Sequence, residues 1–281
     1  MMQPLSRPRV LVFDSGIGGL SVASCISRAL PGAELIYLAD NAGFPYGDQP
    51  DQVVVDRCCR LIAACLSRYP CEVIVIACNT ASTVALPSLR AMTDIPVVGV
   101  VPAVKPAAAC SNNRRIGILA TPATIRRPYL DELVHDFAAD CQVIRVGHPG
   151  LVLWAEALVA GTAPPEDQLE LALAPLREAE VDTVVLGCTH YPLLLGWLKA
   201  ALPGVCYWVD SGEAIARRVA YWLGEAGCLE QARQGARGAL PVVREACFTG
   251  EAVVGIEPFM ARAGIPVARV VGQWPGVTAA G

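Results

Sequence analysis

VIVIACNTAS (residues 73–82) and TVVLGCTHYP (residues 183–192) share one construction: an uncharged aliphatic run, a cysteine, then polar residues. Short runs rich in Val and Ile, without the polar alternation of a half-exposed strand, read as parallel strands buried on both faces. The switch to Asn-Thr or Thr-His marks the end of the strand and the start of a helix. Each stretch therefore predicts a strand, a cysteine at its carboxyl end and a helix beginning beside it, which is the unit of an α/β fold.

Six further runs share this character. VLVF (10–13), LIYLA (35–39) and PVVGV (96–100) accompany VIVIA (73–77), and IGILA (116–120), QVIRV (142–146) and VCYWVD (205–210) accompany TVVLG (183–187). The two series match in rhythm. Each opens on a strand ending in a hydroxyl residue, Ser15 or Thr121, and the cysteine follows 63 or 67 positions later (78 − 15 and 188 − 121). The expected architecture is two similar α/β lobes, each a mainly parallel sheet flanked by helices, with the active site in the cleft between them, where strand ends of open sheets gather ligands. The Pro-containing stretch VGVVPAVKPAAACSNNRR serves as one passage between lobes. VDSGEAIARR serves as the other, with Asp210 or Ser211 capping the helix that follows. The predicted division is residues 1–101 plus 211–281 for the first lobe and 102–210 for the second. Residues 225–244 read as surface structure or a connector, the segment after them as a strand and a helix, and GQWPGVTAAG as a loose tail.

With 281 residues, 54% of them hydrophobic, a membrane span has to be considered. The longest uncharged stretches, 73–89 and 183–198, carry polar residues at their middles, unlike a bilayer helix of about 20 apolar residues. The first residues, MMQPLSRPRV, lack the apolar core of a signal peptide, so a cytoplasmic location is expected. A net charge of −4 provides no basic footprint for direct nucleic-acid binding. The 12 cysteines include no CxxC pair and are accompanied by only three histidines, His135, His148 and His190, so no metal site is expected. Most of the thiols read as small apolar core residues, Cys58 and Cys65 among them.

Four segments carry candidate chemistry. In FDSGIGGLS (13–21) a strand stops at Asp14 and a glycine-rich turn opens a helix, so its backbone N–H groups favour an anion. Asp14 reads either as a cap for that helix or as an acid orienting an ammonium group or a catalytic partner. ADNAGFPYGD (39–48) is a turn-rich loop presenting Tyr46, as core plug or as ligand contact. The remaining two are the cysteine stretches. A thiol at a helix start feels the positive end of the dipole, which favours the thiolate. Two such thiols in matching positions suit stereoinversion at carbon, which needs a base on one face and an acid on the other. A mismatch of ~10 pK units between carbon acid and thiolate is worth about 14 kcal/mol, so fixed donors must stabilise the carbanion-like transition state. Asn79, Thr80 and Thr189 are candidates for those donors, and Asp14 and His190 for groups that modulate the thiols.

FDSGIGGLSV, DNAGFPYGD, IACNTAS, GILATPAT and GCTHYPLL together resemble the bacterial glutamate racemases, over most of residues 9–223. The resemblance implies racemisation of glutamate with no cofactor, neither pyridoxal phosphate nor metal, supplying D-glutamate for peptidoglycan. It implies that Cys78 deprotonates D-glutamate and Cys188 L-glutamate, assisted by Asp14, His190 and Glu156 of LVLWAE. The substrate contacts it implies are Asp14, Ser15, Pro45, Tyr46, Gly47, Cys78, Asn79, Thr80, Thr121, Cys188, Thr189 and His190. A homodimer and activation by a cell-wall precursor belong to the same expectation. His148, in the segment VGHPG before that acid, reads as incidental. Rival readings are a racemase of the aspartate or hydantoin type, a non-catalytic interaction role such as gyrase inhibition, and a thiol redox enzyme.

Overall fold

The computed structural model describes residues 7–234 and 242–274. They divide into two compact units, one within Met1–Val100 and Gly212–Gly281, the other Val101–Ser211. In the first unit lie strands β1 (Arg9–Asp14), β2 (Glu34–Ala39), β3 (Val73–Ile76) and β4 (Val97–Gly99). The second holds β5 (Arg115–Ala120), β6 (Gln142–Gly147), β7 (Thr183–Leu186) and β8 (Tyr207–Val209). The chain then adds β9 (Val243–Phe248) and β10 (Val270–Val271).

The first sheet runs β10-β9-β2-β1-β3-β4 and the second β6-β5-β7-β8, every pairing parallel. In both, the opening strand lies between the second and third, and the fourth lies outside the third. The rhythm of the two sequence halves is thus a shared strand order. β1, β3 and β7 are buried along nearly their whole length, which explains their unbroken apolar runs.

Helix patterning follows the same logic. Asp51–Arg68 buries Val54, Cys58, Leu61, Ile62 and Cys65, a single helical stripe against Leu11, Ile36 and Ile74. Cys58 and Cys65 are thereby core residues, as their spacing predicts. In the second unit Ala103, Val104, Ala107, Leu130 and Ala138 pack on Ile116 and Ile118. Proline occupies the first position of the helices Pro122–Ile125 and Pro128–Ala138, where its missing N–H leaves no bond unmade.

Two expectations need correction. Residues 225–244 are not all surface structure: Leu229–Arg233 is helical, Ala232 is buried and accepts a bond from the Gly32 amide at 2.7 Å, and β9 begins at Val243. The remainder of that prediction, residues 235–241, lies outside the described residues. The final segment is not loose at its start, because Trp274 is buried and its amide donates to Phe248 O at 2.9 Å. Residues 275–281 lie outside the described residues. Ser211 precedes the helix Gly212–Glu225 and its hydroxyl donates to the Val101 carbonyl. Among the described residues no helix is long and apolar enough to cross a membrane.

Candidate active site

Strand register brings the first thiol to its neighbours. Phe13 pairs with Ile76, and the ladder continues one step further as the Ala77 amide donates to Phe13 O at 2.8 Å. One residue beyond, Ser15 and Cys78 stand side by side, Oγ to Sγ 3.7 Å. The second unit repeats the arrangement: Leu119 pairs with Leu186, and the Gly187 amide donates to Leu119 O at 2.7 Å. Thr121 and Cys188 hold the positions of Ser15 and Cys78.

Asp14 is wholly buried, and its Oδ1 accepts the Gly16 amide at 2.8 Å. It does not cap the helix Leu20–Ala29, whose N-cap is Gly19. Its bond with the Gly16 amide shapes the turn behind Ser15, together with Tyr37, whose hydroxyl donates to Gly16 O at 2.6 Å.

Cys78 is the N-cap residue of Asn79–Met92, makes no capping bond with its side chain and is 7% exposed. The thiol therefore sits at the positive end of a four-turn helix, where the first amides lack intrahelical partners. Asn79 and Thr80 follow in the first turn, both buried, and Asn79 Oδ1 has no hydrogen-bond partner among the described residues.

Cys188 differs from that expectation. The chain beyond it forms only a single 3-10 turn, Tyr191–Leu194, before the helix Leu195–Ala201, because Pro192 and the bond from the Tyr191 amide to Cys188 O tighten it. A side chain replaces the helix dipole. His190 is buried, with Nδ1 3.7 Å from Cys188 Sγ and Nε2 2.6 Å from Glu156 Oε1. Burial alone would depress the imidazole, but hydrogen bonds to Cys188 and Glu156, backed by their charges, hold its pKa well above 6.5. Glu156 reaches this point from the helix Gly150–Ala157. Buried Thr189 lies between thiol and imidazole in sequence, and Tyr191, wholly buried, has a hydroxyl without a partner among the described residues.

Thr121 follows the end of β5, and Pro45, Tyr46 and Gly47 lie in the segment after β2. Thr121 caps Pro122–Ile125, its Oγ1 accepting the Thr124 amide at 3.2 Å. Phe44–Pro45 is a cis peptide, and Tyr46–Asp48, which includes Gly47, forms one 3-10 turn. Tyr46 is 1% exposed, and its hydroxyl donates to Asp40 Oδ2 at 2.5 Å, so this phenol is committed within the protein. His148 accepts the Gly150 amide on Nδ1 at 3.2 Å and stacks near Trp154, a structural placement.

Sequence reasoning missed Asp40, Arg57 and Thr249. Asp40 is fully buried and receives Arg57 on both oxygens at 2.6 Å, Tyr46, and the Thr249 hydroxyl at 2.6 Å. Burial would raise this carboxyl, yet the bonds from Arg57, Thr249 and Tyr46 hold it below its ordinary 3.8. Among the described residues no group of three or more His, Cys, Asp or Glu side chains could hold a metal ion.

Each sheet thus ends in a cysteine, one beside a serine at a helix start, the other beside an imidazole that is bonded to a carboxylate. Comparison with known proteins places the chain in a family. Residues 18–219 match the family described as Asp/Glu/Hydantoin racemase. The chain is 45% identical over 260 residues to the glutamate racemase of Sodalis glossinidius, covering 92% of this chain and 89% of that protein. It is 53% identical over 220 residues to that of Pectobacterium carotovorum, covering 78% and 77%. The crystal structure of Escherichia coli glutamate racemase in complex with L-glutamate and the activator UDP-MurNAc-Ala superposes with a TM-score of 0.82 at 43% identity, covering 95% of this chain and 99% of that one. The chain is a member of the Asp/Glu/hydantoin racemase family.

Proposed function

We propose that this enzyme interconverts L- and D-glutamate, with Cys78 and Cys188 each serving one face of the substrate α-carbon. The observation that carries the reading is the repeated pairing of a hydroxyl residue with a strand-end cysteine, Ser15 with Cys78 and Thr121 with Cys188. Glutamate as the substrate is supported by relatives of that name at 45% and 53% identity.

The proton count closes without an external acid. Starting from D-glutamate, the Cys78 thiolate takes the α-proton and the Cys188 thiol gives one to the opposite face, leaving a Cys78 thiol and a Cys188 thiolate. The reverse reaction starts from that state. His190, held by Glu156, stands beside Cys188, and a helix start stands beside Cys78, so each thiol has its own neighbour for the proton transfer. Asn79, Thr80 and Thr189 are the donors this reading assigns to a carboxylate and to the developing carbanion. Asn79 Oδ1, buried without a partner among the described residues, suits the substrate ammonium. Supply of D-glutamate to peptidoglycan in the cytoplasm, a homodimeric state and activation by a nucleotide-linked cell-wall precursor, the class of activator named for the E. coli relative, complete the reading.

The test is incubation with each glutamate enantiomer in deuterated water, following circular dichroism and α-deuterium together. Inversion of both enantiomers with deuterium uptake is expected, and its loss in Cys78→Ala and in Cys188→Ala. Absence of inversion and exchange in the wild type would sink the enzyme assignment. Faster inversion of aspartate would overturn only the substrate.

A further inference from the structure

Asp40 makes more bonds than capping a strand end requires. Its amide donates to Asp14 O at 2.8 Å, tying it to the end of β1, one residue before Ser15. Its carboxylate, as described, gathers Tyr46 from the Pro45–Gly47 turn, Arg57 from the helix Asp51–Arg68, and Thr249 from the end of β9. Thr249 closes the circuit: its hydroxyl also accepts the Ala42 amide at 3.1 Å, and its own amide donates to Ala39 O at 3.1 Å. Gly43 is the residue that admits the guanidinium, since a Cβ there would stand 2.5 Å from Arg57 Nε and 2.7 Å from Asp40 Oδ2.

The beneficiary is the turn beside Cys78. Tyr46 and Cys78 belong to one buried cluster, and the turn packs on the helix that Cys78 opens. We propose that Asp40, with Arg57 and Thr249, is a positioning device that holds the Pro45–Tyr46–Gly47 turn against Cys78 and so sets both substrate affinity and the seclusion of that thiol. The part concerning affinity rests on the glutamate reading; the part concerning seclusion does not. A surface carboxylate paired with arginine would give neither effect. A buried one engaged from three directions leaves the turn a single position, and the bonds are lost together if the carboxylate is neutralised.

Asp40→Asn, Tyr46→Phe and Gly43→Ala attack the network by removing its charge, one donor and the space for Arg57 respectively. Each variant is alkylated with iodoacetamide and the modified peptides are quantified by mass spectrometry, beside steady-state kinetics on both glutamate enantiomers. Cys206, exposed, reports reagent activity, and Cys65, fully buried in the same unit, reports unfolding. The expected result is labelling of Cys78 at least about fivefold faster while Cys65 stays protected, as local opening requires. KM should rise about tenfold or more while kcat changes less, the pattern of lost binding contacts. Unchanged Cys78 labelling, or Cys65 labelling in parallel with it, overturns the positioning role. Selective Cys78 labelling with KM unchanged overturns the link to affinity. A wild type that inverts no glutamate, with Cys78 still opening selectively in the variants, defeats the substrate reading and upholds the anchor.

Discussion

Glu156 Oε1 lies 2.6 Å from His190 Nε2, so the imidazole that faces Cys188 is held from behind by a carboxylate that is itself 20% exposed. Cys78 stands instead beside Ser15, at the start of the helix Asn79–Met92. Enantiomers are equally stable, which forces kcat/KM to be the same in both directions at every pH; the asymmetry must therefore be sought elsewhere.

Isotope exchange without inversion is free of that constraint. In Glu156→Gln the imidazolium loses its charged partner, a bond of about 1.5–3 kcal/mol, and kcat/KM should fall about 10- to 100-fold in both directions. In the proposed scheme L-glutamate gives its α-proton to Cys188 and D-glutamate to Cys78, so exchange from L-glutamate should fall further than exchange from D-glutamate. Equal losses of exchange for the two enantiomers would contradict the assignment of Glu156 to one thiol.

The same relay predicts a pH dependence of stability. His190 has its folded pKa raised well above the ordinary 6.5, so the folded state binds the proton more tightly than the unfolded chain. The resulting stabilisation is fully present below pH 6.5, declines as pH rises past it and is gone above the raised folded value. In His190→Gln, a plot of Tm against pH should lose that decline on the alkaline side. A wild type and variant with parallel plots would show that the imidazole is not charged in the folded protein.

How much of this was legible beforehand differs residue by residue. Cys78 and Cys188 could be read because a thiol at the point where an apolar run turns polar is out of place for core packing, and the register of β1 with β3 and of β5 with β7 then dictates their hydroxyl neighbours. Glu156 left no local mark: it sits in LVLWAEA, an apolar helix, and only resemblance pointed to it. Arg57 was hidden in the amphipathic run DQVVVDRCCRLIAACLSR, where any polar residue looks like a solvated face. Thr249 meets Asp40 across 209 positions, a pairing that becomes visible only when β9 lies against β2. Periodicity also overstated the helix after Cys188, since a proline four residues on permits a 3-10 turn as readily as an α-helix.

Trp274 gives a test of the chain's last described turn. It is 2% exposed and joins the cluster of Leu11, Ile36 and Ile74, so Trp274→Ala should cost about 3–5 kcal/mol in chemical denaturation. Its indole Nε1 is buried with no hydrogen-bond partner among the described residues. Trp274→Phe removes that unsatisfied donor along with some contact area and should cost much less, about 1 kcal/mol or under. Alanine and phenylalanine variants of equal stability would place the indole outside the core.

Gly19 separates two reasons for a glycine near the site. Its φ of −60° is open to any residue, so backbone freedom does not demand it. Space does: a Cβ there would stand 2.8 Å from Asp14 Cβ and 3.1 Å from both Ala77 Cβ and Tyr37 Oη. Those three neighbours are parts of the two strand ends and of the bond that fixes the Gly16 carbonyl, so none can retreat without moving the turn beside Cys78. Overpacking of this kind costs about 1–3 kcal/mol. Gly19→Ala should accordingly lower stability by about that amount and reduce racemisation more than the stability loss explains, through displacement of Ser15. Gly196→Ala is the matched control, because nothing lies within 4 Å of its added Cβ on the helix Leu195–Ala201. There helix propensity acts alone, and the substitution should be neutral or stabilising by up to about 1 kcal/mol. If Gly19→Ala behaves like Gly196→Ala in both denaturation and turnover, the close packing of the β1 and β3 ends is not what holds Ser15 against Cys78.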